Sequence, residues 1–103
     1  MNEQITWRTY RFFGYDSRIG SDMYTTLKLS SDKRYEYYEN QCSVIAKYVG
    51  TYTENNKEIV LTGESAIKFS KIDQGNTLGF YSPTLCMPYN PDDAPNTNLP
   101  LCS

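Results

Sequence analysis

The sequence contains no histidine in its 103 residues. Histidine is the side chain most often used as a general base, and the Ser–His and Cys–His nucleophile pairs both depend on it. Three cysteines are present without a Cys-x-x-C spacing, so the usual ligands of a zinc site are also missing. We therefore predict that the protein is not an enzyme and has neither a metal site nor a cofactor.

Long apolar runs and clusters of basic residues are also absent. The longest apolar runs, such as residues 59–61, cover only a few residues, so we expect no membrane span and no signal peptide. A cytoplasmic protein and an exported protein whose leader was removed both fit this pattern. The ten lysines and arginines are scattered, and the formal net charge is −2. Because a phosphate backbone is bound by grouped cations, we predict no nucleic-acid partner.

No segment keeps the 3.6-residue period of an amphipathic helix over three turns. A period of two residues recurs instead, about every ten residues, with turn residues between the segments. In the clearest strand, one face carries Met23, Thr25, Leu27 and Leu29 and the other carries Tyr24, Thr26, Lys28 and Ser30. This pattern predicts an all-β fold, either a small antiparallel meander or a partly open barrel of six to seven strands.

The remaining alternating segments predict the other strands, within residues 1–13, 34–39, 43–53, 58–62, 65–72 and 77–81. In the first of them, the alternation of Ile5, Trp7 and Thr9 places Trp7 inward. The glycine-flanked stretch 14–22 is predicted to be a loop. Gly50 lies inside a predicted strand, where it indicates a bulge or a sharp bend rather than a break.

All five prolines fall between Pro83 and Pro100. Proline has no amide hydrogen and does not fit a central strand. The sequence therefore predicts a β-meander domain over residues 1–81 and an irregular, Pro- and Asn-rich tail over residues 82–103.

The three cysteines leave several pairings open. A disulfide between Cys86 and Cys102 is one candidate, and it would close a loop within the tail. The alternatives are a bond from Cys42 to either of them, or three reduced thiols.

Ten tyrosines give the predicted strands an aromatic character. If one face of the sheet is open, Tyr24, Arg34 and Tyr38 form an amphipathic patch suited to protein recognition. The alternative is cross-strand aromatic pairing that only stabilises the sheet. Glu36 and Glu39 have opposite strand parity, so they are not expected to form a catalytic carboxylate pair.

Three stretches carry a family resemblance: Thr-Leu-Lys-Leu-Ser-Ser-Asp-Lys-Arg-Tyr at 26–35, Gly-Thr-Tyr at 50–52 and Ile-Val-Leu-Thr at 59–62. The chain resembles the small lipocalin-like domains of bacterial envelope proteins, such as the N-terminal domain of copper-resistance lipoproteins. The resemblance implies their meander fold and an exported location. The loop at 14–22 lacks that family's Cys-x-x-C, and no lipid-attachment cysteine stands near Met1, so copper and thiol chemistry are not implied.

Two functions therefore remain as expectations. The first is a non-enzymatic module that binds another protein, as an inhibitor or an envelope accessory protein. The alternative is a lipocalin-like carrier of a small ligand. The partner and the oligomeric state are not specified by the residues.

Overall fold

The computed structural model describes residues 4–16, 21–41, 44–80 and 82–89. Eight antiparallel strands form one sheet in chain order: β1 Trp7–Asp16, β2 Ser21–Ser30, β3 Arg34–Gln41, β4 Val44–Glu54, β5 Glu58–Gly63, β6 Lys68–Ile72, β7 Thr77–Phe80 and β8 Ser82–Pro88. A short 3-10 turn at Asp73–Gly75 joins β6 to β7. The predicted all-β antiparallel meander is confirmed, and the seven predicted strands correspond to β1–β7. Among the described residues, no helix has the length and apolar character needed to cross a membrane.

The additional strand, β8, lies at the start of the segment predicted to be an irregular tail. It pairs with β7 from Thr77↔Pro88 to Gly79↔Cys86, and the register shifts between Gly79 and Phe80. Prolines are compatible with this strand because it lies at the edge of the sheet, where an amide hydrogen is dispensable. The rest of the predicted tail, residues 90–103, lies outside the described part of the chain.

The sheet curls into a nearly closed barrel with one unsealed seam between β1 and β8. These two strands meet at a single bridge, Tyr10↔Tyr89. The amide of Tyr89 donates to the Asn76 carbonyl on the β7 side at 2.7 Å. Successive residues of a strand direct their backbone nitrogens to opposite edges, so the backbone nitrogen of Pro88 is directed toward β1. Proline has no hydrogen to donate there, which is a physical reason for the open seam.

The barrel interior is filled by alternate side chains of the strands. The buried apolar residues of the described core are Tyr10, Phe12, Leu27, Leu29, Tyr35, Tyr37, Tyr52, Ile59, Leu61, Phe69, Leu78 and Met87. The predicted faces of β2 are confirmed along most of the strand, since Thr25, Leu27 and Leu29 are buried and Tyr24 is exposed, but Ser30 at the end of the strand is buried despite sharing the parity of Tyr24. Tyrosine therefore serves mainly as a core residue in β1, β3 and β4.

The predicted orientation of Trp7 is wrong. Its side chain is 40% exposed, whereas Tyr10 and Phe12 are almost fully buried. Tyr10 lies opposite Leu27 and Phe12 lies opposite Thr25, so the even-numbered residues of β1 face the core. Apolar side chains occur on both parities of this strand, and burial of the larger Tyr10–Phe12 surface decides which parity is inside.

The predicted loop at 14–22 is shorter in the structure. Gly14↔Met23, Tyr15↔Asp22 and Asp16↔Ser21 continue the pairing of β1 with β2. A glycine does not end a hairpin strand when the facing strand satisfies its backbone groups. Only residues 17–20 at the tip lie outside the described chain.

Gly50 marks a close approach between β4 and β5. A Cβ atom at this position would lie 2.1 Å from the Thr62 carbonyl oxygen and 2.9 Å from the Tyr35 ring. The β4 strand continues through Gly50 from Val44 to Glu54. The glycine is therefore required by the contact with its neighbours.

Candidate functional site

The outer face of β2, β3 and β4 carries the residues predicted to recognise a partner. Tyr24 on β2 lies opposite Asn40 on β3, and Asn40 lies opposite Ile45 on β4. The adjacent row consists of Thr26, Tyr38 and Lys47. We call Tyr24, Tyr38, Asn40, Ile45 and Lys47 the outer patch.

Apolar side chains of the outer patch are exposed on a regular sheet. The exposed fraction is 43% for Tyr24 and 66% for Ile45. Val49 extends the apolar surface along β4, two residues beyond Lys47, and is 41% exposed. Both neighbours of β3 are fully paired strands, so the backbone that holds these side chains is fixed.

Polar interactions orient Tyr38 within the outer patch. Its hydroxyl donates to the Glu36 carboxylate at 2.7 Å, and the Lys47 ammonium lies 5.7 Å from the centre of its ring. The hydrogen bond to Glu36 raises the pKa of the Tyr38 hydroxyl, with a further contribution from desolvation. The ring is thus held between an anion and a cation, in a geometry that favours cation–π attraction.

Arg34 is separated from the two tyrosines with which it was predicted to act. It lies four residues before Tyr38 on the same face of β3, which corresponds to about 13 Å. Its Nε donates to the Asp32 carboxylate at 2.8 Å, and its guanidinium carbon lies 5.9 Å from the centre of the Trp7 ring. The structure places Tyr24 and Tyr38 in adjacent rows and places Arg34 beside the β2–β3 turn.

The sequence patterns did not single out three outer-patch residues, Asn40, Lys47 and Ile45, and Ile45 is the most exposed of the apolar ones. Ile45 shares its strand parity with Lys47, although no face was assigned to residues 43–53 from the sequence alone. Its position relative to Tyr24 depends on the pairing of both β2 and β4 with β3. The alternation within β4 thus groups Ile45 with Lys47 on one face, but it does not indicate which residues of β2 and β3 lie beside Ile45.

A second cluster of charged residues lies on the inner face, at the end of the barrel that contains the β2–β3 turn. The Arg8 guanidinium donates to both Glu54 carboxylate oxygens, at 3.2 and 2.8 Å. The Lys71 ammonium lies 2.7 Å from Glu54. Tyr10 extends the network, since its hydroxyl donates to the Gly75 carbonyl at 2.8 Å. The cluster covers the end of the core with paired charges.

The ion pairs in this cluster control the ionisation of Glu54. Burial alone would raise the pKa of its carboxyl, but the hydrogen bonds and charges of Arg8 and Lys71 outweigh that effect and hold the pKa below its usual value. Burial raises the pKa of Tyr10, and the Arg8 charge opposes the shift. Glu54 is therefore ionised near neutral pH and joins three strands, β1, β4 and β6.

The two carboxylates of β3 lie on opposite faces of the sheet, as their parity predicted. Glu36 is directed outward with Tyr38, whereas Glu39 shares the inner face with Tyr35 and Tyr37. No group of three or more His, Cys, Asp or Glu residues able to hold a metal ion occurs within the described ranges.

The candidate disulfide cannot be placed on the described structure. The backbone of Cys86 belongs to β8, opposite Gly79. Cys42 and Cys102 lie outside the described residues. The Cys86–Cys102 bridge therefore remains a prediction.

Comparison with known proteins found no relative of this chain. No family model, no curated protein sequence and no solved structure matches the chain.

Proposed function

We propose that the protein is a non-enzymatic module that binds another protein through the outer patch, as an inhibitor or an envelope accessory protein. The observation that carries the proposal is the cross-strand row Tyr24–Asn40–Ile45. It places two exposed apolar side chains on either side of one amide, on the outside of a rigid sheet.

The composition of the outer patch supports this function. Tyrosine and isoleucine provide contact area, and the tyrosine ring loses little conformational entropy when it is buried. Asn40 supplies a polar group between the two apolar side chains, and Lys47 and Glu36 supply polar groups beside them. Protein–protein interfaces combine apolar contact area with polar groups.

The alternative function, a lipocalin-like carrier, has less support from the described core. A carrier needs interior space for its ligand. The middle of the barrel is occupied instead by large buried side chains, including Tyr35, Tyr37, Tyr52 and Phe69. The filled interior favours recognition at the outside of the sheet.

The experiment that tests the proposal compares capture by the wild-type protein with capture by two variants. Ile45→Asp places a charge at the most exposed apolar position of the outer patch. Thr53→Asp places the same charge on the outer face of β4, eight residues away, and serves as the matched control. Both positions are exposed, so both variants are expected to fold.

Each bait is incubated with an extract of the source cells. The wild-type and Thr53→Asp baits are expected to retain the same partner protein, and the Ile45→Asp bait is expected to lose it. The affinity for this partner should fall about tenfold or more from the wild-type protein to Ile45→Asp, since burying an unpaired charge in the contact costs about 1.4 kcal/mol or more. Equal retention by all three baits, or by none, would contradict binding through the outer patch.

A further inference from the structure

Two strand lysines on the outer face differ from most other basic residues of the strands. The basic residues that form ion pairs with carboxylates are Arg8, Arg34, Lys68 and Lys71. Lys28 on β2 and Lys47 on β4 form no ion pair within the described ranges. Lys47 belongs to the outer patch and Lys28 lies beside it. The sheet therefore holds two ammonium groups on this face whose charge a carboxylate from outside can meet.

The positions of the two lysines define a spacing. Lys28 lies opposite Glu36 on one side of β3, and Lys47 lies opposite Tyr38 on the other side. Strands about 4.8 Å apart and a rise of about 3.4 Å per residue put the Cα atoms of the two lysines about 12 Å apart. In an extended chain, residues i and i+4 share a face and are about 13 Å apart. Two carboxylates at this separation along an extended segment therefore match the two lysines.

The Glu36 carboxylate lies between the two lysines along the sheet. It accepts a hydrogen bond from the Tyr38 hydroxyl at 2.7 Å and forms an ion pair with neither lysine in the described structure. A continuous polyanion, such as a phosphate backbone or an anionic lipid surface, would bring negative charge against Glu36. Two separate carboxylates, one on each side of β3, avoid this repulsion. The charge pattern thus favours an acidic protein segment.

Apolar surface continues from Lys47 along the same face of β4. Ile45 lies two residues away, which corresponds to about 7 Å. It is 66% exposed, and Tyr24 lies in the same row, across Asn40. A segment whose second carboxylate meets Lys47 can therefore place an apolar side chain, two residues later, against Ile45.

We propose that the outer patch and Lys28 bind an extended acidic segment of the partner protein. One carboxylate of the segment meets Lys28, a second meets Lys47, and an apolar side chain packs against Ile45. This inference rests on the proposed function and specifies the chemistry of the partner. Both ammonium groups keep part of their hydration, so the charges select the partner and the apolar contact adds affinity.

Titration with a short peptide, acetyl-Glu-Thr-Ser-Thr-Glu-Ser-Leu-amide, tests this chemistry. Its two glutamates and its leucine share one face of an extended chain. The largest amide chemical-shift changes are expected at Lys28, Ile45 and Lys47. The analogue with both glutamates replaced by glutamine should bind about fivefold or more weakly, since it forms no ion pair. A rise in NaCl from about 50 to about 500 mM should weaken the glutamate peptide several-fold, because salt screens exposed charges.

Variants of the protein separate charge from shape. The double variant Lys28→Gln/Lys47→Gln should bind the glutamate peptide no better than the wild type binds the glutamine analogue. Lys28→Arg/Lys47→Arg keeps both charges and should bind within about twofold of the wild type. Lys57→Gln is the matched control, because this lysine is exposed in the turn between β4 and β5 and also forms no ion pair within the described chain.

Three results would overturn the acidic-segment proposal: equal binding of the two peptides by the wild type, shift changes that avoid Lys28 and Lys47, or no binding at millimolar peptide. Binding of phosphatidylglycerol vesicles that the double glutamine variant loses, without peptide binding, would assign the lysines to a lipid surface instead. If the peptide fails while Ile45→Asp still loses the captured partner, the proposed function stands without this chemistry. Peptide binding as expected, with capture that does not depend on Ile45, would instead contradict the proposed function.

Discussion

Arg8 and Glu54 form a two-bond ion pair on the inner face of the barrel, although 46 residues separate them in the chain. Lys71 adds a third charge to the same carboxylate. Glu54 thus connects the first strand to the fourth and the sixth. Removal of its charge leaves two partly buried cations without a counterion.

We expect Glu54→Gln to lower the free energy of unfolding by about 2 kcal/mol at pH 7, since Arg8 and Lys71 then stay partly buried and close together without a counterion. Chemical denaturation measures the change. Glu58→Gln is the control, because its 3.6 Å ion pair with Lys68 lies at the surface, where such a pair contributes little. Equal losses in both variants would contradict a special role for Glu54.

The same carboxyl predicts a pH dependence. The pKa of Glu54 is lower in the folded protein than in the unfolded chain, where the carboxyl has its ordinary value of 4.5. The unfolded state therefore binds more protons as the pH falls, and the stabilisation is present above about pH 5 and is lost toward the folded-state pKa. The difference in unfolding free energy between the wild type and Glu54→Gln should shrink between pH 6 and pH 3. A constant difference over this range would be inconsistent with the ion pair.

Gly50→Ala should destabilise the protein by about 2 kcal/mol or more, because the added methyl group meets the Thr62 carbonyl oxygen and the Tyr35 ring. Gly75→Ala provides the comparison. The nearest atom to a Cβ at Gly75 is 3.7 Å away, but the φ angle is +89°. Only backbone strain is expected there, about 1 kcal/mol. Thermal unfolding of both variants shows which substitution is more destabilising. A larger loss for Gly75→Ala than for Gly50→Ala would argue against the close approach of β4 and β5 at Gly50.

Tyr35→Phe should cost about 1–2 kcal/mol of unfolding free energy. The Tyr35 hydroxyl donates to the Ser65 carbonyl at 3.1 Å and accepts from the Ser65 amide at 3.0 Å. Tyr38→Phe is the control, since water can replace the bond of its half-exposed hydroxyl to Glu36. Denaturation midpoints that fall equally in both variants would show that the Ser65 contacts contribute nothing specific.

The proposed Cys86–Cys102 bridge predicts one reactive thiol without reductant and three with it. On a chain-entropy estimate, the bridge adds about 3 kcal/mol of stability. Alkylation followed by intact-mass measurement counts the thiols, and peptide mapping identifies the free one, which should be Cys42. Three reactive thiols under both conditions would rule out any disulfide and would favour a protein kept in a reducing compartment.

Local alternation was sufficient to predict the strands and most of their faces. Thr25, Leu27 and Leu29 face the core as their parity indicates, because side-chain direction along a strand is a property of the strand alone. Trp7 is the residue for which alternation did not predict the correct face. In β1 both parities carry apolar residues, and the choice between them depends on burial of Tyr10 and Phe12 against β2.

The sequence by itself determined the all-β class, most of the turns and the outward parity of Tyr24 and Tyr38, since each follows from neighbouring residues. The tertiary structure alone decided that Tyr24 and Ile45 share one row and that Glu54 meets Arg8. These relationships depend on strand register and on the curvature that brings β1 close to β8. Both arise from packing of the whole core, which no short segment of the chain encodes.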